Sequence, residues 1–228
     1  MNYDPYSEEI LRLGIKYMHK DILLSIASYT KEYLDVEFIK SYFLFTGTSS
    51  DDPEYIIHAH HNQADNLQLN VMDSHSPFDI KDIQVQPYPV PHDAREPIQC
   101  TFSDGNHKLG VLTDVGRTTP HIEAMLNSCH ALVLECNHDV SMLQSGPYSW
   151  ALKQRVGGDL GHLENSESAK LLSRLDNSKL QHIVAAHLSV KNNTPALAKL
   201  ALAKVLACEE SWIGIADQAV GFDWRMIS

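Results

Sequence analysis

Three stretches of this chain set out side chains that could do chemistry. Glu135-Cys136-Asn137-His138-Asp139 closes an apolar run, Gly157-Gly158-Asp159-Leu160-Gly161-His162-Leu163-Glu164-Asn165 carries an imidazole inside a glycine-rich segment, and Ala186-His187-Leu188-Ser189 closes a second apolar run. Imidazoles delivered to the ends of buried elements stand where α/β proteins place chemistry. His92 after Val90-Pro91 and Asp114 after Leu112-Thr113 join His138 and His187 as four potential ligands, each at or just past a strand-like run. Imidazole nitrogens with a carboxylate oxygen suit zinc, manganese or iron(II), and an aspartate able to bridge two ions is the usual core of a two-metal hydrolytic site. The spacing is long-range. By residue type and spacing alone, satisfied core or surface histidines among the thirteen in the chain explain the pattern as well as a metal site does.

The elements that must position these groups follow from hydrophobic periodicity. Behind Ser7, the residues Ile10, Leu11, Gly14, Ile15 and Met18 recur at helical spacing, with Glu8 and Glu9 in the first turn, which predicts a short opening helix. Asp21 to Ala27 reads as a buried strand, Thr30 to Leu34 as a second short helix and Phe43 to Phe45 as another strand. From Thr46 to Pro77 the chain turns polar, and Ser49-Ser50-Asp51-Asp52-Pro53 breaks any regular element, so residues 46–77 are an expected insertion or irregular excursion. Beyond Phe78 the signals sharpen. Ile83 to Val90 and Ile98 to Phe102 alternate at period two, and Ser103-Asp104-Gly105-Asn106-His107 is a hairpin turn into Lys108 to Thr113. Thr119-Pro120 ahead of Ile122, Met125 and Leu126 predicts a capped helix, and Ala131 to Glu135 a central strand. Helices near Tyr148 to Arg155 and Ser166 to Leu175, a strand Ile183 to Ala186, a helix Thr194 to Leu206 and a last strand Trp212 to Ala216 complete the pattern. Antiparallel strands that give way to alternating strands and helices suit a layered α/β sandwich with sites at strand ends, here in a single domain over 1–228.

Composition narrows the classes. With 18 basic against 29 acidic residues, the net charge of -11 argues against a broadly basic nucleic-acid surface and leaves room for a local basic cleft. Cys100, Cys129, Cys136 and Cys208 show no CxxC spacing, so reduced thiols in a cytoplasmic protein are the economical reading. Met1-Asn2-Tyr3-Asp4-Pro5-Tyr6-Ser7 lacks the basic start and apolar core of a secretion signal, and no stretch is long and apolar enough to span a bilayer; the expectation is a soluble, cytosolic protein.

The stretches Val90-Pro91-His92-Asp93-Ala94-Arg95-Glu96-Pro97, Leu112-Thr113-Asp114-Val115-Gly116, Leu134 to Asp139, Leu152 to Asn165 and Ala185 to Asn193 together resemble the metallo-β-lactamase-fold hydrolases. Within them the resemblance is to the bacterial YycJ/WalJ-type subgroup, described as phosphodiesterase- or exonuclease-like, and it covers the chain from about residue 78 to the end. It implies an αββα sandwich in which His92, Asp114 and His187 are metal ligands, Asp114 bridging two divalent ions, zinc or manganese. It also implies that His138 and His162 are further catalytic residues, and that the substrate is a nucleic acid or a small phosphodiester. A β-lactam substrate is not expected. The family's H-x-H-x-D-H signature is absent from this sequence, and the place where it would align, near Met1 to Tyr6, holds no histidine. The expectation is therefore an N-terminally incomplete fold with impaired activity, or, in a different class, an inactive degenerate relative serving as an interaction module, or a truncated fragment that dimerises through an uncovered sheet. His58-Ala59-His60-His61 with Asp65 has the wrong spacing for a substitute and reads as a solvated loop.

Each singled-out residue also has a plainer reading. His92 could be a turn residue at a strand end, Asp114 a turn or helix cap, and His187 a core histidine bonded to a carbonyl. Gly157, Gly158 and Gly161 would let backbone N–H groups approach an anion, with Lys153 and Arg155 near enough to contact phosphate, although a helix C-terminus followed by a turn accounts for them nearly as well. Asn192, next to Asn193, is either a turn residue or part of a substrate-orienting pair. Asp217, Phe222 and Trp224 read as structural.

Overall fold

A computed structural model describes residues 73–218, 221–223 and 225–228. The elements expected over residues 10–45, most of the 46–77 excursion, the His58 to Asp65 cluster and Trp224 lie outside the described residues.

The described strands form one seven-stranded sheet in chain order, β1 (Phe78–Ile80), β2 (Ile83–Pro89), β3 (Ile98–Ser103), β4 (Lys108–Leu112), β5 (Ala131–Glu135), β6 (His182–Ala186) and β7 (Gly214–Ile215). β1 to β4 pair antiparallel, and β4 to β7 pair parallel. The switch has a chemical origin. Asp104 and Gly105 close a tight hairpin, with Asp104 Oδ1 accepting from the Asn106 and His107 N–H groups and Gly105 at φ 91°, whereas a helix follows β4 and makes the crossover to β5. Pro87 and Pro89 are tolerated because β1 covers only Ile83 to Val85 of β2.

Period-two alternation sorts the strand residues onto two faces. Tyr88, Leu112, Leu132, Leu134, Ile183 and Ala185 face one core, shared with Ile122 and Leu126 of α1 (Pro120–Leu126), Leu171 and Leu172 of α4 (Asn165–Arg174) and Ala198 and Leu202 of α5 (Pro195–Leu206). Val85, Phe102, Leu109, Val111, Val133 and Val184 face a second core on the other side. The parallel strands β5 and β6 are apolar on both faces, as strands covered on both sides must be. Each fully buried leucine or isoleucine on the helical face contributes about 1.5–3 kcal/mol by leaving water.

The helices start where the sequence supplies caps. Thr119 and Thr194 each accept a bond from the N–H three residues on, 3.2 Å in both cases, with Pro120 and Pro195 at the first helical position. Asp139 caps α2 (Val140–Ser145) through Met142 N–H at 2.9 Å, and Ser149 caps α3 (Trp150–Val156). α2 was not expected from periodicity. The last strand is shorter than Trp212 to Ala216, because a 3-10 turn takes Glu210–Trp212 and only Gly214 and Ile215 pair with β6. A mixed sheet with helices on one face agrees with the layered α/β core that the family resemblance implies; the second sheet of an αββα sandwich is not among the described residues. The four cysteines are free thiols, and burial pushes Cys100, Cys129 and Cys136 up to about 12, so these three are inert. No helix among the described residues is long and apolar enough to cross a membrane.

Candidate metal centre

β2 is antiparallel to β3, and β3 to β4, so β2 runs in the same direction as β4, β5 and β6 and all four end at one edge of the sheet. His92 stands three residues past β2, Asp114 two past β4, Glu135 is the last residue of β5, and His187 follows β6 directly. Four positions far apart in sequence thereby meet at the carboxyl edge of the sheet, the usual place for a site in a parallel α/β arrangement.

Two of these residues hold a backbone conformation that side chains disfavour. Asp114 has φ 52° and His187 φ 58°, both in the left-handed region. Such strain persists where the surroundings over-determine it and clusters at functional sites. The surroundings are visible here. Cys136 N–H donates to Ala186 carbonyl at 2.9 Å, Ser189 N–H to Asn137 carbonyl at 2.7 Å, and Asn137 Nδ2 to the His187 carbonyl at 2.9 Å. On the other side Asn137 N–H donates to Leu163 carbonyl and Asn165 N–H to His138 carbonyl, both at 2.9 Å. The segment 136–139 is thus laced between the loops that carry His162 and His187.

One ligand atom from each of Asp114, His162 and His187 lies within 4.8 Å of the other two. His92 is adjacent, with Nε2 3.8 Å from Asp114 Oδ1, and its Nδ1 is 3.0 Å from the Gly161 carbonyl, an acceptor that places the proton on Nδ1. The His92 and His162 rings are 5.2 Å apart, and the His162 and His187 rings 4.9 Å. Beneath them lies Glu135, whose Oε1 is 2.9 Å from His162 Nδ1 and 2.8 Å from His187 Nδ1, while its Oε2 accepts from Val115 N–H at 2.9 Å. Burial pushes the Glu135 carboxyl up, but the hydrogen bonds from His162 and His187 outweigh it and hold the group well below the usual carboxylate range. The mutual donor set, one carboxylate and two imidazoles with a second carboxylate behind both and His92 beside Asp114 but outside the set, fits a divalent-metal centre in its chemistry.

The remaining sequence candidates are placed as follows. His138 is 2 % exposed, and burial lowers its imidazole to about 4; its Nδ1 is 3.3 Å from Asn137 Oδ1. Arg155 Nε donates to Asp93 Oδ2 at 2.5 Å, next to His92, which lowers Asp93 and leaves most of the arginine side chain in solvent. Lys153 Nζ donates to the Gln144 carbonyl at 2.6 Å. The N–H groups of Gly157 and Gly158 donate to the Lys153 and Arg155 carbonyls at 3.0 and 3.4 Å, closing the end of α3. Gly161 is required by space, since a Cβ there would sit 2.1 Å from the Arg155 carbonyl oxygen. Asn192 is fully buried, its Nδ2 on Ser189 Oγ at 3.3 Å and its Oδ1 against Gly146. Sequence reasoning did not single out Glu135 as a site residue, although a carboxylate closing an otherwise apolar strand was the available signal.

Residues 40–187 match the family model of the β-lactamase superfamily domain. Over 136 residues the chain is 37% identical to "Exodeoxyribonuclease YycJ" of Bacillus anthracis, covering 60% of this chain and 51% of that protein. Over 164 residues it is 31% identical to "Exodeoxyribonuclease WalJ" of Streptococcus pneumoniae serotype 2, covering 72% of this chain and 58% of the relative. It therefore spans between half and three fifths of the length of these relatives. Among solved structures, the metallo-β-lactamase fold protein YhfI from Bacillus subtilis superposes with a TM-score of 0.51 at 15% identity, over 69% of this chain and 56% of that one, a likeness of fold alone. The matched family model, the two relatives and the topology of the sheet agree, and the chain belongs to the β-lactamase superfamily as a metallo-β-lactamase-fold protein of the YycJ/WalJ-type subgroup.

Proposed function

We propose that this chain is a metal-dependent phosphodiester hydrolase of exonuclease type, acting on nucleic-acid ends. The observation that carries the reading is the cluster of Asp114, His162 and His187 at the carboxyl edge of the parallel strands, in a chain whose curated relatives are named exodeoxyribonucleases. Asp114, His187 and His92 hold the ions, zinc or manganese, and His162 joins them by its nearness to Asp114 and His187. Divalent ions so held supply Lewis acidity toward a phosphoryl oxygen and lower the pKa of water. The chain's own residues orient the rest. Arg155, pinned by Asp93 beside His92 and mostly in solvent, offers a cation to the phosphate at the rim, and Lys153, held on the Gln144 carbonyl of the same region, would have to leave that bond to add a second. His138, whose carbonyl accepts from Asn165 N–H, fixes the loop that carries His162. The net charge of -11 favours an end-bound strand over tight non-specific binding along a duplex. A cytoplasmic location belongs to the same reading, supported by the free thiols, whereas a homodimer belongs to the rival reading of a fragment with an uncovered sheet.

Because the sequence contains no H-x-H-x-D-H, affinity for the ions is expected to be weak and turnover slow. The test is a single-turnover assay with excess polypeptide on a 5′-phosphorylated oligonucleotide, with Mn²⁺ or Zn²⁺ added. Slow mononucleotide release that needs the ion and disappears in Asp114→Asn supports the reading. Release that survives chelation, or that Asp114→Asn leaves unchanged, refutes it.

A further inference from the structure

Glu135 is the only acid in the buried class among the described residues, at 0 % exposure, and it closes the strand Ala131–Glu135, whose other four residues are apolar. Placing a carboxylate there is costly unless every lone pair facing the interior finds a donor. Three donors are present. Val115 N–H meets Oε2 at 2.9 Å, and the Nδ1 atoms of His162 and His187 meet Oε1 at 2.9 and 2.8 Å. Strand register accounts for the geometry: Glu135 pairs with Ala186, directly before His187, and its oxygens reach the Asp114 loop at Val115.

We propose that Glu135 is a positioning residue for the metal centre, holding His162 and His187 together in the tautomer that carries the proton on Nδ1. A neutral imidazole has one N–H and one lone pair, and an ionised carboxylate only accepts, so a ring nitrogen at hydrogen-bond distance from it is the protonated one. The lone pair of each ring then sits on Nε2, the nitrogen that would serve as ligand once a metal is bound, although Nδ1 is the atom 3.9 Å (His162) and 3.6 Å (His187) from Asp114 Oδ1. One carboxylate sets two imidazoles at once, and through Val115 it ties them to the strained turn at Asp114. This rests on the proposed metal site for its purpose, but the tautomers are a property of the metal-free protein.

Glutamine separates this role from mere space-filling. It has the same shape, yet one end of its amide accepts and the other donates. With its oxygen toward the histidines, its NH₂ meets Val115 N–H. Turned round, its NH₂ meets both Nδ1 atoms, and the rings must move their protons to Nε2. Neither orientation satisfies all three donors.

The experiment is long-range ¹⁵N–¹H correlation of the imidazoles in the metal-free 228-residue protein, at a pH where both rings are neutral, together with titration of Zn²⁺ and Mn²⁺. The proposal expects pyrrole-type Nδ1 and pyridine-type Nε2 for His162 and His187 in the unaltered protein. In Glu135→Gln it expects at least one ring to change tautomer and affinity for the ions to fall by roughly 10–100-fold. Exposed Glu167→Gln should change neither. The proton found on Nε2 of both rings in the unaltered protein overturns it, as do unchanged tautomers and unchanged affinity in Glu135→Gln. Should Glu135→Gln fail to fold, the unaltered protein's tautomers decide alone. Nδ1-protonated rings in a protein that binds neither ion would refute the proposed metal site while upholding the hydrogen-bond assignment.

Discussion

Gly116 offers a sharp test of how the loop bearing His162 is held. A Cβ at this position would lie 2.4 Å from both the carbonyl carbon and oxygen of Asp159 and 2.6 Å from Gly161 N. Ordinary contact begins near 3.4 Å, so Gly116→Ala must push the 159–161 backbone away by about 1 Å, and backbone closed on itself by the Gly161 to Gly158 bond cannot yield cheaply. Overpacking of this size costs about 1–3 kcal/mol. The displaced segment also carries the Leu160 and Gly161 carbonyls that accept from Asp93 N–H and His92 Nδ1, and it leads directly to His162. A shift of about 1 Å in reacting geometry can cost about 100-fold in rate, and the same displacement moves His162 away from Asp114 and His187. Gly157 supplies the control, because a Cβ there meets nothing nearer than 3.4 Å, and its φ of -91° suits alanine. Urea denaturation and Zn²⁺ titration of both variants measure the effect. Gly116→Ala should lose stability and metal affinity together, and Gly157→Ala should stay within about 0.5 kcal/mol. Equal behaviour of the two variants would refute the packing argument.

Asp114→Asn should keep the fold, since asparagine tolerates a φ of 52°, yet lose Zn²⁺ binding by at least about 100-fold in isothermal titration. His138 sets an acid limit. Burial lowers it to about 4 from 6.5, so between those values the unfolded chain binds more protons than the folded one, and stability falls as pH drops from 6.5 toward 4 by up to about 3 kcal/mol. Chemical denaturation across that window should show a shallower slope in His138→Gln. Leu134→Ala, at a fully buried position of β5, should cost about 2–5 kcal/mol in the same measurement. Asp93→Ala, which frees exposed Arg155, should change stability by less than about 1 kcal/mol.

Elements with a full period were legible in the sequence. β2 to β6 and the proline-started helices α1 and α5 appear within a residue or two of where alternation and Thr-Pro caps put them. α2 was not, because Val140 to Ser145 is too short to show a helical period, although Asp139 was an available cap. β7 shrank because only Gly214 and Ile215 find register with Val184 and Ala185. For the site, Asp114 and His187 could be suspected from their places after apolar runs. Their convergence could not, since it depends on β4, β5 and β6 lying side by side in parallel, which no local spacing reports. Glu135 heads a stretch noted in the sequence but could be given no role there for the same reason: its partners His162 and His187 are 27 and 52 residues away. The long-range closeness of His162 to Asp114 likewise follows from the loop 157–164 folding back over Gly116, a contact that only the assembled sheet edge creates.

Asp114, His162 and His187, with His92 beside them, form the proposed metal centre. Crystals of the protein soaked in Zn²⁺ and measured on both sides of the zinc absorption edge test it directly. An anomalous peak is expected about 2.0–2.2 Å from an oxygen of Asp114 and a nitrogen each of His162 and His187. A peak elsewhere on the protein, with no anomalous signal within coordination distance of Asp114, would contradict it.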